Sequence, residues 1–195
     1  GVIRGVVETC HAEGIEVYGF HSGWRGALNG EGHFLTMEEV SGIQTKGGTI
    51  LESSRTNVTK IPGGADQVKA TLDKLGLDAL VAIGGDDTLG VANTLRKEHG
   101  VNVVGVPKTI DNDLNSTDFT FGFDTASNIA MEAIDRLHTT AASHARCFVV
   151  ECMGRSSGWI TLYAGWASDC NLVIIPEFPL TMDDVMKVVK QRYQE

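Results

Sequence analysis

The sequence has no run of basic residues. Lys and Arg total 16 against 25 Asp and Glu, a formal net charge of −9. That balance argues against a nucleic-acid or anionic-membrane partner. No apolar stretch approaches the length a membrane-spanning helix needs, and no signal or transit pattern, internal repeat or low-complexity segment is present. Cysteine is scarce: Cys10, Cys147, Cys152 and Cys170 have neither CxxC nor Cys/His ligand spacing. They read as buried reduced thiols rather than disulfides, which makes a reducing compartment, the cytoplasm, the expected location. What remains is a globular composition, 42% hydrophobic and 21% charged over 195 residues. That length allows one large domain or two small ones, with ample core in either case. An acidic chain that binds an anion must use a few local cations, backbone amides or a metal.

Helix and strand signals alternate. Residues 1–14 read as a helix closed by Gly14, followed by a strand over 15–20. A short helix is expected over 35–43 and a strand over 47–53. Residues 64–76 are amphipathic, with Val68, Leu72 and Leu75 on one face and Gly76 as the stop. "ALVAIGG", 79–85, is an almost wholly apolar run of the kind found in strands buried on both faces. A helix over 87–100 and a strand over 101–106 follow. The longest helix is expected over 125–144, with Ile129, Ala133, Ile134 and Leu137 at helical spacing. Then come a strand at 147–154, a helix at 158–168, a strand at 171–177, and a last helix capped by Thr181 with Asp183 and Asp184 in its first turn. Such alternation predicts an α/β fold: a parallel sheet with helices on both sides. A domain break is expected near 121–124, giving domains 1–123 and 124–195. The chain begins and stops inside helical patterns, as expected for part of a longer protein.

Three chemically rich loops fall where the carboxyl ends of these strands should lie, the usual place for ligands in such sheets. The first is "IGGDDTLG", 83–90. Gly84 and Gly85 let backbone amides approach a phosphate, and the next helix offers its positive end. Asp86 and Asp87 suit an anion site only if one of them holds a divalent cation that bridges to phosphate oxygens. The bland alternative is a glycine turn with aspartate helix caps. The second loop is "VPKTIDNDLN", 106–115. A carboxylate there could take a proton from an attacking hydroxyl while Lys108 and Thr109 hold the transferring group, since phosphoryl transfer depends mainly on positioning and charge neutralisation. Turn-forming Asx residues explain part of this loop, but not the lysine and threonine beside them. The third is "CMGRSSGWI", 152–160, where Gly154 permits close approach and Arg155 presents a planar fork of donors suited to phosphate. Arg55, in "ESSRTN", is a further cation after an expected strand.

"GGDDTLG", "PKTIDND", "GFDTA" and "MGRSSGW", in this order and spacing, resemble the phosphofructokinase family from the first residue to the last. The resemblance implies two Rossmann-like domains with the active site between them: residues 1–123 bind the phosphoryl donor and 124–195 the sugar phosphate. It implies transfer of a phosphoryl group to the 1-hydroxyl of fructose 6-phosphate, with Mg2+. Carried over by position, Asp111 matches the general base and Asp113 its electrostatic partner. Asp86 matches the magnesium carboxylate, and Thr109 contacts substrate. Gly85, Asp87, Thr88, Lys108 and Arg55 match donor-binding positions. Met153, Gly154 and Arg155 match the sugar-phosphate loop, with Arg155 placed to neutralise transition-state charge. Arg146 matches a substrate ligand lent by a neighbouring subunit, which implies a homodimer or homotetramer. The resemblance also places a first strand with its phosphate loop before residue 1 and further sugar-phosphate ligands after residue 195.

The family divides between ATP and pyrophosphate as donor. Members using ATP usually carry glycine at the position of Asp87, and many carry glycine at that of Lys108. A carboxylate at 87 would crowd and repel a nucleotide, while the Lys108 ammonium could bind the pyrophosphate leaving group. The pair resembles the pyrophosphate-dependent type. An ATP-dependent enzyme is the alternative, then a non-catalytic regulatory subunit, and more distantly a lipid or NAD kinase. Arg4 matches an arginine of the bacterial effector site, but Glu8 stands where a second arginine is expected and would repel a phosphorylated effector.

Overall fold

A computed structural model describes residues 1–193. The chain divides into two compact units, Gly1–Val106 and a second beginning at Pro107.

The first unit opens with α1 (Val2–Ala12), which buries Val7 against Val40 and Ile43. Gly14, left-handed at φ 71°, follows it, as its place after the apolar periodicity predicts. β1 (Tyr18–Phe20) and β2 (Gly32–Phe34) form an antiparallel pair, with α2 (Trp24–Asn29) between them. Neither α2 nor β2 was expected. α3 (Gly64–Leu75) ends on Gly76 at φ 67°, with Val68 and Leu72 buried. β3 (Leu80–Gly84), α4 (Asp86–His99) and β4 (Val103–Thr109) follow. The main core gathers Trp24 and Ala27 of α2, Val68 and Leu72 of α3, Ala82 of β3 and Val91, Ala92 and Leu95 of α4. Every one of these contacts removes apolar surface from water, the dominant stabilising term here. β3 is not buried on both faces: Ala82 and Gly84 are buried while Val81 is exposed.

In the second unit the end of β4 pairs in parallel with β5 (Phe121–Gly122), Lys108 opposite Phe121 and Thr109 opposite Gly122. Within the first unit β3 neighbours β4. α5 (Phe123–His144) and α6 (Trp159–Ala167) lie together. Phe123 is fully buried between the ring of Phe119, stacked at 5.9 Å, and the edge of Tyr163 at 5.2 Å. His138 Nε2 meets the Ser168 carbonyl at 2.7 Å, and the Ser168 hydroxyl donates to the Met131 carbonyl at 3.2 Å. Of the face expected on α5, Ile134 is buried but Ile129 is 63% exposed. α7 (Met182–Arg192) begins in a capping box: the Thr181 hydroxyl accepts from the Asp184 amide, and the Asp184 carboxylate accepts from the Thr181 amide.

Four expected elements are absent among the described residues. The helix expected over 35–43 is a set of turns leading into a single 3-10 turn at Ile43–Thr45, and 47–53 is turn rather than strand. Residues 147–154 form no strand, and Val149 is 94% exposed. Residues 171–177 contribute only an isolated bridge, Ile175 to Phe178. A strand exists through its ladder hydrogen bonds, and no described strand pairs with 147–154. The cysteines are free as expected, but Cys147 is exposed and the other three are half-buried, so none is a core thiol.

Candidate active site

β4 delivers the chain to Thr109, and residues 110–120 loop back to β5. Asn112 organises this loop. Left-handed at φ 51°, a conformation asparagine tolerates, it accepts from the Thr120 amide at 2.9 Å and donates to the Asp118 carbonyl at 3.3 Å. Thr120, only 3% exposed, donates its hydroxyl to the Thr109 carbonyl at 2.7 Å. The Asp111 amide donates to the Thr109 hydroxyl at 3.2 Å, and the Ser157 hydroxyl donates to the Asp111 carbonyl at 2.5 Å. Thr109 and Asp111 are thus held from both sides.

The Asp111 side chain contrasts with its tethered backbone. Oδ1 is buried and, among the described residues, has no hydrogen-bond partner. A buried polar atom without a partner is uncommon and costs desolvation energy. A carboxylate oxygen only accepts, so what this position lacks is a donor, such as a substrate hydroxyl. Lys108 and Asp113 are exposed, and among the described residues neither side chain makes a hydrogen bond or ion pair.

The third loop lies in the same unit. Gly154 has φ 151° and Arg155 φ 49°, and the Ser157 amide closes the turn on the Gly154 carbonyl at 2.8 Å. A Cβ on Gly154 would collide with the Ser157 carbonyl oxygen, so glycine is required there. Met153 is 74% exposed, and the exposed Arg155 guanidinium has no partner among the described residues. The structure therefore brings Thr109, Asp111, Gly154 and the Arg155 turn into one connected network. Arg146 lies just past α5, its amide on the Ala141 carbonyl at 3.0 Å and its side chain in solvent.

The donor-type loop belongs to the first unit. Thr88 packs so closely over Gly84 that any Cβ there would overlap its side chain. Gly85 is extended, and the Thr88 amide returns to its carbonyl at 3.0 Å. Asp86 and Asp87 occupy the first turn of α4, exposed. Neither caps a backbone amide, although their charge there is favourable to the helix dipole. Arg55 is likewise exposed. Among the described residues no group of three or more His, Cys, Asp or Glu could hold a metal by itself. Magnesium, however, is commonly bound through one or two carboxylates plus substrate phosphates, and the unengaged Asp86 fits that mode. Arg4 is already engaged: its Nε donates to Glu8 at 2.7 Å and its Nη1 to Gln44 at 2.5 Å.

Sequence reasoning missed Thr120 and Ser157 as residues that shape the base loop. Asn112 was read as a turn-forming Asx residue, and it does shape the turn. Thr120 carried no such signal.

A family model described as "Phosphofructokinase" matches residues 1–195. A pyrophosphate--fructose 6-phosphate 1-phosphotransferase from Amycolatopsis methanolica is 54% identical over 100% of this chain and 57% of that protein. An ATP-dependent 6-phosphofructokinase from Corynebacterium efficiens is 49% identical over 99% of this chain and 56% of that protein. Among solved structures, phosphofructokinase from Pichia pastoris in the T-state matches at a TM-score of 0.90 and 33% identity, covering 97% of this chain and 22% of that one. The chain spans little more than half the length of the curated relatives it matches.

Proposed function

The chain belongs to the phosphofructokinase family, and from that premise we propose that the whole protein transfers a phosphoryl group from pyrophosphate to the 1-hydroxyl of fructose 6-phosphate. The observation that carries the reading is the buried Oδ1 of Asp111, unpartnered among the described residues, on a loop fixed by hydrogen bonds to Thr109 and Ser157. Asp111 accepts the proton of the 1-hydroxyl. The sugar oxygen forms a bond to the terminal phosphorus of the donor, the bond from that phosphorus to the bridging oxygen breaks, and orthophosphate leaves. Asp113 raises the local negative potential that favours proton uptake. Arg155 and Thr109 hold the substrate and the transferring group, Met153 and Gly154 shape the sugar-phosphate loop, and Arg146 reaches the substrate phosphate of a neighbouring subunit in a homo-oligomer. Residues 1–123 serve the donor and 124–195 the sugar phosphate, in a cytoplasmic enzyme.

On the donor side, Gly85, Thr88, Lys108 and Arg55 bind the phosphates. Mg2+, held through Asp86 and donor oxygens, would neutralise charge on the transferring group. Asp87, free of any capping bond, places a negative charge where a nucleotide would extend further than pyrophosphate does. The relative named for pyrophosphate, at 54% identity, supports this donor. ATP is the second reading, favoured by the 49% identical relative named for it. The test is turnover of fructose 6-phosphate by the full-length protein, with pyrophosphate and ATP supplied separately. Faster turnover with ATP would overturn the donor assignment, and turnover with neither would overturn the function.

A further inference from the structure

We propose that Ser157 is a positioning residue for the base, acting through the Asp111 backbone and coupling it to the turn that carries Arg155. The inference rests on the functional reading above. Ser157 is 7% exposed, and its hydroxyl donates to the Asp111 carbonyl at 2.5 Å across 46 residues of chain. Among the described residues this is the only hydrogen bond between segments 107–122 and 146–159. The bond is placed to set the base. The Asp111 amide is held by the Thr109 hydroxyl and its carbonyl by Ser157, so both peptide planes flanking its Cα are fixed. The direction in which the carboxylate leaves the backbone is fixed with them. The same serine closes the Gly154 turn through its amide, at 2.8 Å. One residue thus ties the position of Arg155 to that of the base.

A buried hydroxyl could instead serve packing alone, and the two roles separate kinetically. Ser157→Thr and Ser157→Val have nearly the same shape, and only the first retains a donor, so any cost of crowding is common to both. Misplacing a reacting group by about 1 Å can cost around 100-fold in rate. In the full-length protein, Ser157→Val is therefore expected to lower kcat about 10- to 100-fold relative to Ser157→Thr, with KM for fructose 6-phosphate within about threefold. In an Asp111→Asn background the same exchange should change kcat by less than about threefold, because the group being positioned is gone. Equal kcat for the Thr and Val variants, or an undiminished difference in the Asp111→Asn background, overturns the inference and leaves the functional reading standing. A wild-type protein that phosphorylates fructose 6-phosphate with neither donor overturns both.

Discussion

The base loop and the donor loop are built in opposite ways. In the base loop, side chains bond the backbone: Asn112, Thr120, Thr109 and Ser157 each fix a peptide group around Asp111. In the donor loop the shape comes from missing side chains. Gly84 admits Thr88 against the backbone, Gly85 leads into α4, and the carboxylates of Asp86 and Asp87 engage nothing among the described residues. The difference follows from what each loop would hold. A base must sit within hydrogen-bond reach of one proton, which calls for a rigid support. Phosphates and a cation bring their own charge and ligands, and a metal carboxylate must be free to meet them. A tethered backbone distinguishes the Asp111 loop, and glycine-shaped backbone the loop at Asp86 and Asp87.

The comparison breaks first at Asp111. Asp111→Asn keeps the size of the side chain and removes the base, so kcat should fall about 10²–10⁴-fold with a smaller change in substrate affinity. Steady-state kinetics of the full-length enzyme decide it, and a variant within about threefold of wild type would take Asp111 out of the mechanism. The next largest effect belongs to the donor loop. Two unit charges about 4 Å apart interact by roughly 4 kcal/mol at an effective dielectric near 20. Solvent and magnesium reduce this, so Asp87→Gly should raise kcat/KM for ATP by about 5- to 150-fold. Pyrophosphate use should not improve, whereas Lys108→Gly should impair it. If ATP use is unchanged in Asp87→Gly, the carboxylate plays no part in donor choice.

Thr120→Val tests the rigid support. It keeps the shape of a buried side chain but strips the hydroxyl donor from the Thr109 carbonyl, while the Asn112 side chain keeps the Thr120 amide. Leaving a buried acceptor unsatisfied costs on the order of 1–3 kcal/mol. Chemical denaturation should show that loss, while Asp87→Asn, which keeps the side-chain size and whose carboxylate makes no bond to lose, should show less. Equal stability of Thr120→Val and wild type would mean that the base loop is no more tightly held than the donor loop.

Two apolar runs show how far the sequence could be read. "ALVAIGG" and "CFVVECMG" both read as strands, yet the first forms β3 at Leu80–Gly84 and the second forms no strand. Hydrophobicity tells what a segment would bury, not whether a neighbour is there to pair with it. α2 was illegible for another reason: six residues between glycines, Trp24–Asn29, are too short for periodicity to speak. At the site, Asp86, Asp111 and Arg155 stand out in the sequence because their chemistry and spacing resemble a family's motifs. Ser157, Thr120 and Asn112 shape the base through hydrogen bonds over separations of 46, 11 and 8 residues. No local pattern encodes such pairings.

The smallest effect sharpens the contrast between engaged and free aspartates. Asp184 in α7 and Asp87 in α4 both stand in the first turn of a helix. Asp184 accepts from the Thr181 hydroxyl at 2.6 Å and from the Thr181 amide at 3.1 Å, and these bonds lower its pKa below the usual aspartate value. A carboxylate with a lowered pKa in the folded state adds stability above its unfolded pKa. That contribution fades as pH falls through the folded value. Thr181→Ala should therefore lower stability near neutral pH, where the N-cap bonds are lost, and by less in strong acid, where Asp184 is protonated in wild type and variant alike. Thermal unfolding of wild type and Thr181→Ala at neutral and acid pH makes the comparison. A Thr181→Ala deficit that stays constant into acid would show that the capping box does not depend on the Asp184 charge.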